Sequence, residues 1–419
     1  MLDAVLKRLI QVGNLTVVEP GGRASTYGDD TGPEVRVRLA AGAAMRLAKA
    51  PELAVGECYM DGSLTLEAGD IYDLMDLAGR NIGHRPPPRN LFWKAQLAVK
   101  RRLQQMNDRR NAQRNVAHHY DLSYDLYRRF LDPDMQYSCA YFPTPETSLE
   151  DAQVAKKAHL AAKLLLEPGQ QVLDIGCGWG GLGLSLAEAA PGAHITGVTL
   201  SKEQLAVAQR RAKERNLAER VDFQLRDYRD VAGPFDRIVS VGMFEHVGAP
   251  YYQEFFDTAA RLLADDGVMV LHSIGRMDGP SITNPFINKY IFPGGYIPAL
   301  SEVLPCIERA GLWVTDVEIL RLHYAETLKA WRAKFLAQYD EIKALYDERF
   351  CRMWDYYLAS SEISFRHLGH MNFQIQLAKR VDAAPLTRDY IGETEAGLRR
   401  SAMLKAANTD RRNGDTAAA

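Results

Sequence analysis

The 419-residue sequence contains no apolar segment long enough to cross a bilayer as a helix, which takes about 18 residues. Its first segment, MLDAVLKRLIQVG, carries Asp3, Lys7 and Arg8 where a secretory signal would have its apolar core. No small-residue cleavage site follows, so export is not expected. We therefore expect a cytoplasmic protein whose contact with any membrane is peripheral.

Cysteine is also scarce. The five cysteines are scattered and lack the CxxC spacing of zinc and redox sites, so we expect reduced thiols, no disulfide scaffold and no bound metal. The net charge is only −2, because 51 Lys and Arg are balanced by 53 Asp and Glu. This average predicts no acidic partner, although charge is unevenly distributed along the chain.

The chain is longer than the limit of about 250–300 residues for one hydrophobic core, so two domains are expected. Residues 1–84 show short extended patterns between Gly and Asp turns, flanked by helical patterns, which predicts a small α+β domain. Residues 118–400 would form the larger domain. Residues 401–419 are polar and rich in alanine, which indicates a flexible tail.

The segment between these domains, residues 85–117, begins with a Pro-rich break and is strongly basic. From Arg85 to Arg114 every charged side chain except Asp108 is Lys or Arg, and Phe92 and Trp93 add aromatic surface. Such a segment can lie on an anionic membrane. It can equally be a solvated linker helix. Nucleic-acid binding is a third and weaker interpretation, because no nucleic-acid motif accompanies the charge.

From residue 118 onward, short apolar strands alternate with amphipathic helices. This alternation predicts an α/β fold with a mostly parallel sheet covered on both faces. Helices are predicted at 202–216 and 251–263. The predicted strands are 171–175, 194–198, 221–225, 235–241 and 267–272.

The strongest local signal is VLDIGCGWGG at 172–181, where an apolar strand ends with Asp174 and glycines lead into a helix. Glycines allow a sharp turn and a close approach of a ligand, here at Gly176 and Gly178. The spacing differs from the G-x-G-x-x-G of dinucleotide sites, and no basic residue is placed for a phosphate. S-adenosylmethionine (SAM), which has an amino-acid part and no pyrophosphate, fits this pattern.

Methyltransferases of this general fold commonly bind the ribose hydroxyls with an acidic residue after the second strand. Here Thr199, Leu200 and Gln204 occupy that position, and the hydroxyl and amide can make the same hydrogen bonds. Asp227 and Tyr228, after the third strand, are placed to contact the adenine amino group and ring face. Asp227 could instead cap a helix.

Several further segments follow the predicted strands and should converge at one edge of the sheet. These segments, together with VLDIGCGWGG and with VTLSKEQ at 198–204, occur in the same order as in a known family. The sequence closely resembles cyclopropane-fatty-acyl-phospholipid synthases and mycolic acid cyclopropane synthases. The resemblance covers His118 to about Leu377 and extends more weakly to GECYMDG at 56–62. The segments are HYDLS at 119–123, YSCAYF at 137–142, FEHVG at 244–248, LHSIG at 271–275 and YIFPGG at 290–295.

This resemblance implies a Rossmann-like class I SAM-dependent methyltransferase domain with a seven-stranded, mostly parallel sheet. It implies transfer of the sulfonium methyl group to a cis double bond of an unsaturated acyl chain in a membrane phospholipid. Proton loss would then close a cyclopropane ring, with bicarbonate as the base. The family residues that hold bicarbonate match Cys139, Glu245, His272, the backbone of Ile274, and Tyr324. Singly, Cys139, His272 and Tyr324 could also be ordinary core residues.

By the same resemblance, Tyr137 and Ser138 contact the methionine end of the cofactor, and His119 and Tyr127 lie near the cofactor and the acyl chain. Exclusion of water from a carbocation requires an apolar channel, although core packing is an alternative interpretation of the residues concerned. The candidate channel residues are Phe286, Tyr290 and Phe292.

Three expectations concern specificity and assembly. Tyr124 and Leu126 depart from the residues common in the family, which leaves acyl-chain and head-group preference open. The N-terminal domain and residues 85–117 are expected to dock on lipid, and a homodimer is expected from the family. The alternatives are a methyltransferase that makes methyl-branched or oxygenated lipids, and a non-catalytic lipid-binding protein.

Overall fold

The computed structural model describes residues 1–83, 123–398 and residue 400. The basic segment 85–117, His119 and the tail 401–419 therefore lie outside the described residues. Within the described part, no helix combines the length and the apolar character needed to cross a membrane.

The N-terminal part forms a four-stranded sheet in the order β2-β1-β3-β4, with β1 and β3 parallel and the other pairs antiparallel. Alternation builds β3: Val35, Val37 and Leu39 are buried, and the arginines between them ion-pair with Glu67. This is the predicted α+β arrangement. The elements are α1 (Leu2–Leu9), β1 (Asn14–Val18), β2 (Ala24–Gly28), β3 (Glu34–Leu39), α2 (Ala43–Lys49), α3 (Pro51–Met60), β4 (Leu64–Ala68) and α4 (Ile71–Ile82).

The larger part begins with two helices and then alternates strands and helices, as the sequence predicts. The elements are α5 (Tyr124–Phe130), α6 (Leu149–Lys163), β5 (Gln171–Ile175), α7 (Gly181–Ala189), β6 (His194–Thr199), α8 (Lys202–Glu214), β7 (Val221–Leu225), β8 (Phe235–Val241), α9 (Tyr252–Leu262), β9 (Leu263–Arg276), α10 (Leu300–Arg309), β10 (Trp313–Leu320), α11 (His323–Ala337), α12 (Tyr339–Leu345), α13 (Glu348–His367) and β11 (His370–Ala378).

These strands form one seven-stranded sheet in the order β10-β11-β9-β8-β5-β6-β7. Strands β5 to β9 are mutually parallel, and β11 runs antiparallel to both β9 and β10. The predicted fold class is therefore confirmed. Because the chain order reverses beside β5, loops after β5, β6 and β8 meet at the carboxyl edge of the sheet, where such folds bind ligands.

The two parts share a hydrophobic core and a set of polar contacts. Met60 and Ile71 belong to the same buried cluster as residues of α11 and α13. Arg332 bridges Asp70, at 2.8 Å, and Asp355, at 2.7 Å, so one guanidinium links the two parts. The buried pair is Arg332–Asp355, within the larger part, whereas Asp70 is half exposed, so its ion pair across the two parts contributes modestly.

The two parts approach each other closely at Gly56 in α3. A Cβ at this position would overlap the ring of Phe286 and would lie 2.8 Å from Tyr356. We therefore expect Gly56→Ala to lower the free energy of unfolding by about 1–3 kcal/mol through overpacking, despite the better helix propensity of alanine. Thermal unfolding measures this change.

The matched control is Gly392→Ala. Gly392 is also in a helical segment, but a Cβ there would meet nothing within 4 Å, so the substitution should be neutral or stabilising. Equal melting temperatures for Gly56→Ala and the wild type would contradict the packing argument.

Candidate active site

The turn after β5 shapes the centre of the site. Gly176, Gly178 and Gly180 have φ values of +81°, +53° and +81°, a region that side chains with a Cβ rarely adopt. The chain reverses there and enters α7, so backbone groups of the turn face the carboxyl edge of the sheet. This geometry agrees with the expectation that the glycines allow a ligand to approach the backbone closely.

A cavity opens at this turn. It is bounded by the turn itself, by the ends of β6 and β8, and by the extended segment that precedes α6. Every residue expected to bind the cofactor lines this one cavity: Tyr137, Ser138, Asp174, Gly176, Gly178, Thr199, Leu200, Gln204, Asp227 and Tyr228.

Asp174 is the most unusual of the cavity residues. Its carboxyl group is buried, and its Oδ2 has no hydrogen-bond partner among the described residues. Burial raises the pKa of Asp174 to about 7, against the opposing positive charge of Lys156. An unsatisfied carboxylate at a cavity wall fits a cationic ligand group such as the ammonium of an amino acid.

The end of β6 offers neutral polar groups. Gln204 Oε1 accepts a hydrogen bond from the Thr199 hydroxyl at 3.0 Å, and the Ser201 backbone N–H donates to the same hydroxyl at 3.2 Å. Ser201 also caps α8. The helix cap thus fixes the Thr199–Gln204 pair against the cavity, which is the geometry expected for binding ligand hydroxyls.

Asp227 both lines the cavity and caps the short helical turn Tyr228–Asp230, so both interpretations of this residue describe its position. Its carboxylate is clamped by Arg229, with contacts of 2.9 Å from Nε and 2.6 Å from Nη2. The Arg229 guanidinium also lies 5.6 Å from the centre of the Tyr228 ring. Arg229 therefore fixes both residues expected at the adenine.

Other cavity residues were missed from the sequence. Trp179 and His246 stand inside the motifs VLDIGCGWGG and FEHVG, and Met243 directly precedes FEHVG, so their positions were a usable signal. Arg229 and Tyr251 lie outside those motifs, and only the fold brings them to the site. The missed lining residues with polar or aromatic side chains, or sulfur, are Met135, Gln136, Cys177, Trp179, Arg226, Arg229, Met243, His246 and Tyr251.

Next to this cavity, Glu245 contacts Ile274. Glu245 Oε1 accepts the backbone N–H of Ile274 at 2.6 Å, while its Oε2 is buried and has no hydrogen-bond partner in the part of the chain that the structure describes. Burial raises the pKa of Glu245 to about 7, and the Ile274 hydrogen bond opposes that rise. The Tyr296 N–H donates to the Glu245 carbonyl at 2.8 Å and holds its backbone. The free carboxylate oxygen is an acceptor prepared for a ligand.

Cys139 and Tyr324 approach the same region from another side. The backbone N–H of Ala140 donates to Thr327, one turn along α11 from Tyr324, at 3.0 Å. Burial raises the pKa of the Tyr324 phenol well above its usual value, with smaller contributions from Tyr357, Cys139 and Glu245. Burial likewise raises the pKa of the Cys139 thiol, so the thiol is not a nucleophile.

His272 is two residues before Ile274 on β9, on the same face of the strand. Its Nε2 lies 3.0 Å from the Asn372 amide, and its Nδ1 lies 3.0 Å from the Gln374 amide. Burial lowers the pKa of His272 well below its usual value, so the ring is neutral. A neutral ring has one donor and one acceptor, so one of these amides presents its oxygen. Neither of these β11 amides was expected at the site from the sequence.

A wall of aromatic side chains packs beside Tyr324, whose ring centre lies 5.8 Å from that of Trp331. Tyr137 stacks on Trp331 at 5.1 Å between ring centres, and its hydroxyl lies 2.8 Å from that of Tyr357. The buried Tyr127 packs against Tyr137 at 5.1 Å. Phe292 is 5.9 Å from Tyr357. Tyr127 and the candidate channel residue Phe292 thus lie next to Tyr137 and His246, respectively, which line the cofactor cavity.

The other two candidate channel residues face the N-terminal part. Phe286 is fully buried against Tyr356, with ring centres 4.6 Å apart, beside Gly56. The Tyr290 hydroxyl donates to Glu57 of α3 at 2.9 Å. The structure thus gives these two residues a packing role between the two parts, and their contact with an acyl chain stays a prediction.

The comparisons with known proteins agree with this architecture. The family model for mycolic acid cyclopropane synthetase matches residues 107–375. The cyclopropane-fatty-acyl-phospholipid synthase of Escherichia coli K12 is 38% identical over 337 residues, which is 80% of this chain and 86% of that protein. The tuberculostearic acid methyltransferase UfaA1 of Mycobacterium tuberculosis is 37% identical and covers 87% of each chain.

A solved structure gives the same result. The mycolic acid cyclopropane synthase CmaA1, complexed with S-adenosylhomocysteine (SAH) and CTAB, superposes with a TM-score of 0.60 at 36% identity. The match covers 63% of this chain and 97% of that one. The chain belongs to the mycolic acid cyclopropane synthetase family, whose members are SAM-dependent methyltransferases of the cyclopropane fatty acid synthase type.

Proposed function

We propose that the protein converts cis double bonds of unsaturated acyl chains in membrane phospholipids into cyclopropane rings. The observation that carries this proposal is the buried Glu245–Ile274 pair, with a free carboxylate oxygen, beside a cavity suited to SAM. The similarity to the phospholipid-modifying enzyme of E. coli supports the choice of substrate.

SAM supplies an electrophilic methyl group on a sulfonium. In this proposal the Asp174 carboxylate binds the ammonium of its methionine part, while Tyr137 and Ser138 contact that part from the opposite wall. Thr199 and Gln204 hold the ribose hydroxyls. Because an alkene is a weak nucleophile, most of the acceleration would come from holding both reactants in line, where effective molarity is high.

Bicarbonate is the proposed base, because it can accept the proton whose loss closes the ring. Glu245 Oε2 is available to accept a hydrogen bond from its hydroxyl and so to orient it. Cys139, Tyr324 and the Ile274 backbone surround the same position. The neutral ring of His272, held between Asn372 and Gln374, completes the pocket without adding charge.

The aromatic wall would exclude water from the intermediate. A carbocation next to water would be trapped as an alcohol, so enclosure by Tyr137, Trp331 and Tyr357 favours ring closure. Ring faces also stabilise a nearby positive charge. Both effects require an acyl chain to enter between these rings, with Tyr127 and Phe292 on its path.

The remaining parts of the proposal concern location. We infer a cytoplasmic protein that binds the inner face of the membrane peripherally, as a homodimer. Residues 1–84 and the basic segment 85–117 would dock on anionic lipid, where each Lys or Arg near the surface contributes about 1 kcal/mol. Sedimentation with phosphatidylglycerol vesicles, compared with neutral phosphatidylcholine vesicles, tests this docking.

The direct test is a lipid mass spectrum after incubation with SAM, bicarbonate and vesicles of a monounsaturated phospholipid. We expect acyl chains that gain one methylene group and no longer contain a carbon–carbon double bond. A gain of one methylene group with a carbon–carbon double bond retained would indicate a methyl-branched product, which forms when the proton is lost without ring closure, as the similarity to UfaA1 allows. A gain of methylene plus water would indicate an oxygenated product, and either result would refute ring closure.

A further inference from the structure

Helix α6 carries an unusual row of buried polar side chains toward the sheet. Gln153, Lys156, His159 and Lys163 are all at most 4% exposed. Lysine is among the residue types least often found fully buried, because removing its charge from water is costly. Two buried lysines on one helix are therefore unusual, and the surroundings of the two side chains differ.

Lys163 has conventional partners. Its Nζ lies 2.5 Å from Glu318 and 3.4 Å from Asp316, so its charge is neutralised by carboxylates. This buried lysine stabilises the packing of α6 on β10. It has no contact with the cofactor cavity, which makes it a suitable reference for its neighbour two turns earlier.

Lys156 has only neutral hydrogen-bond partners. Its Nζ donates to Gln136 Oε1 at 2.5 Å and to the Ser138 hydroxyl at 3.0 Å. No carboxylate lies within ion-pair distance of it among the described residues. Burial lowers the pKa of Lys156 to about 8, so near neutral pH it still carries a positive charge without a bonded counter-ion.

These two hydrogen-bond acceptors place Lys156 directly behind segment 136–139. Gln136 and Ser138 line the cofactor cavity. In the sequence, Tyr137 lies between them and Cys139 follows Ser138. Gln153, one turn before Lys156, donates to the carbonyl groups of Ser138, at 3.0 Å, and of Gln136, at 3.3 Å. Helix α6 thus fixes both the side chains and the backbone of this segment.

The charge of Lys156 also acts on two residues of the expected bicarbonate pocket. It opposes the rise that burial causes in the pKa of Cys139, and, together with the charge of Lys163, it adds to the fall that burial causes in the pKa of His272. An oxyanion beside the Glu245 carboxylate needs a compensating positive charge. Neither the neutral His272 nor Cys139 supplies one.

We propose that Lys156 is a positioning residue that holds segment 136–139 and supplies the positive charge that retains an oxyanion beside Glu245. The inference rests on the proposed function in one respect, since it takes that oxyanion to be bicarbonate. In this arrangement Lys156 acts through Gln136 and Ser138 and through its electric field.

Three variants of the full-length protein test this role. Lys156→Met keeps the length and removes the charge, Lys156→Arg keeps the charge, and Lys163→Met removes the other buried lysine of α6. Methyl transfer to vesicles is measured against bicarbonate concentration in buffers freed of carbon dioxide. SAH binding is measured by calorimetry without bicarbonate.

For Lys156→Met we expect a rise of about tenfold or more in the half-saturating bicarbonate concentration, as loss of a charge-assisted interaction predicts. SAH affinity should fall less, because the hydrogen bonds from Gln153 remain. Lys156→Arg should restore much of the bicarbonate response. Lys163→Met should lower the melting temperature and change the bicarbonate response much less than Lys156→Met, because Lys163 is paired with Asp316 and Glu318.

The outcomes separate this inference from the proposed function. If the wild type does not respond to bicarbonate, the proposed base is wrong, and the role of Lys156 in retaining it is refuted with it. If the wild type responds and Lys156→Met responds at the same concentrations, only the inference about Lys156 is refuted. If Lys156→Met does not fold, Lys156→Gln, which can still bond to Ser138, takes its place in the same comparison.

Discussion

Glu245→Gln is expected to lower the rate of ring formation by about 10²–10⁴-fold, the usual contribution of a positioned proton-transfer group. The amide can still accept the Ile274 N–H through its oxygen, so the backbone contact of 2.6 Å survives. The other position changes from an acceptor to a donor. A hydrogen bond from a bicarbonate hydroxyl could then no longer be accepted there.

The pH dependence gives a second signature of this residue. Because burial raises the pKa of Glu245 to about 7, its ionised fraction increases as the pH rises through 7. The wild-type rate should therefore rise across this range, while the residual rate of Glu245→Gln should not follow that rise. Initial rates with a fluorescent or radiolabelled methyl-transfer assay at constant bicarbonate concentration measure both profiles.

The matched control is Glu302→Gln. Glu302 accepts hydrogen bonds from the Tyr296 hydroxyl, at 2.7 Å, and from the Ala299 N–H, at 3.1 Å, close to Glu245 but outside its pocket. Its rate should stay within a few-fold of the wild type. If Glu245→Gln kept wild-type rates while binding SAH normally, Glu245 would have no part in proton removal.

Much of the fold and the cofactor cavity could be predicted because their signals are local. Apolar runs bounded by turns mark β5 to β8 within a residue or so, and glycines with positive φ are needed where Gly176 and Gly178 stand. β9 was the weakest prediction: it runs from Leu263 to Arg276, longer at both ends than 267–272. Its pairing with β8 begins at Leu263, and its ladder with β11 continues to Arg276.

Contacts between distant segments could not be read in this way. Asn372 and Gln374 face His272 only because β11 inserts antiparallel between β9 and β10, a pairing that local patterns do not encode. Lys156 looks like an ordinary charged position of an amphipathic helix until both its neighbours in space are known. Phe286 was expected in an acyl channel, but the approach of α3 at Gly56 decides its surroundings.

Asp174→Asn should weaken binding of SAM and SAH by about tenfold or more, and it should make the ligand-free protein more stable. The first effect follows from loss of the negative charge that a bound ammonium would neutralise. The second follows because Oδ2 of Asp174 is buried without a partner, so the ligand-free protein bears the cost of an unpaired group. Most buried-core substitutions destabilise, so an increase in stability is a specific result.

The sign of the pH dependence is fixed by the raised pKa. A carboxyl group whose pKa is about 7 in the folded state and 3.8 when unfolded binds protons more tightly when folded. Its ionisation therefore destabilises the fold progressively as the pH rises from about 4 to 7. At roughly 1.4 kcal/mol per pKa unit, the upper limit of this destabilisation is about 4 kcal/mol.

The advantage of the Asn variant should consequently be largest at pH 8 and should shrink as the pH falls toward 5. Denaturant unfolding of both ligand-free proteins at these two values measures it, and calorimetry with SAH gives the binding loss. Saturating SAH should stabilise the wild type by more than the variant, because only the wild type gains a partner for its carboxylate. A variant that is less stable at pH 8 and binds SAH normally would mean that Asp174 serves the fold alone. Higher stability together with weaker SAH binding would instead show that the Asp174 carboxylate binds the cofactor and lowers the stability of the ligand-free protein.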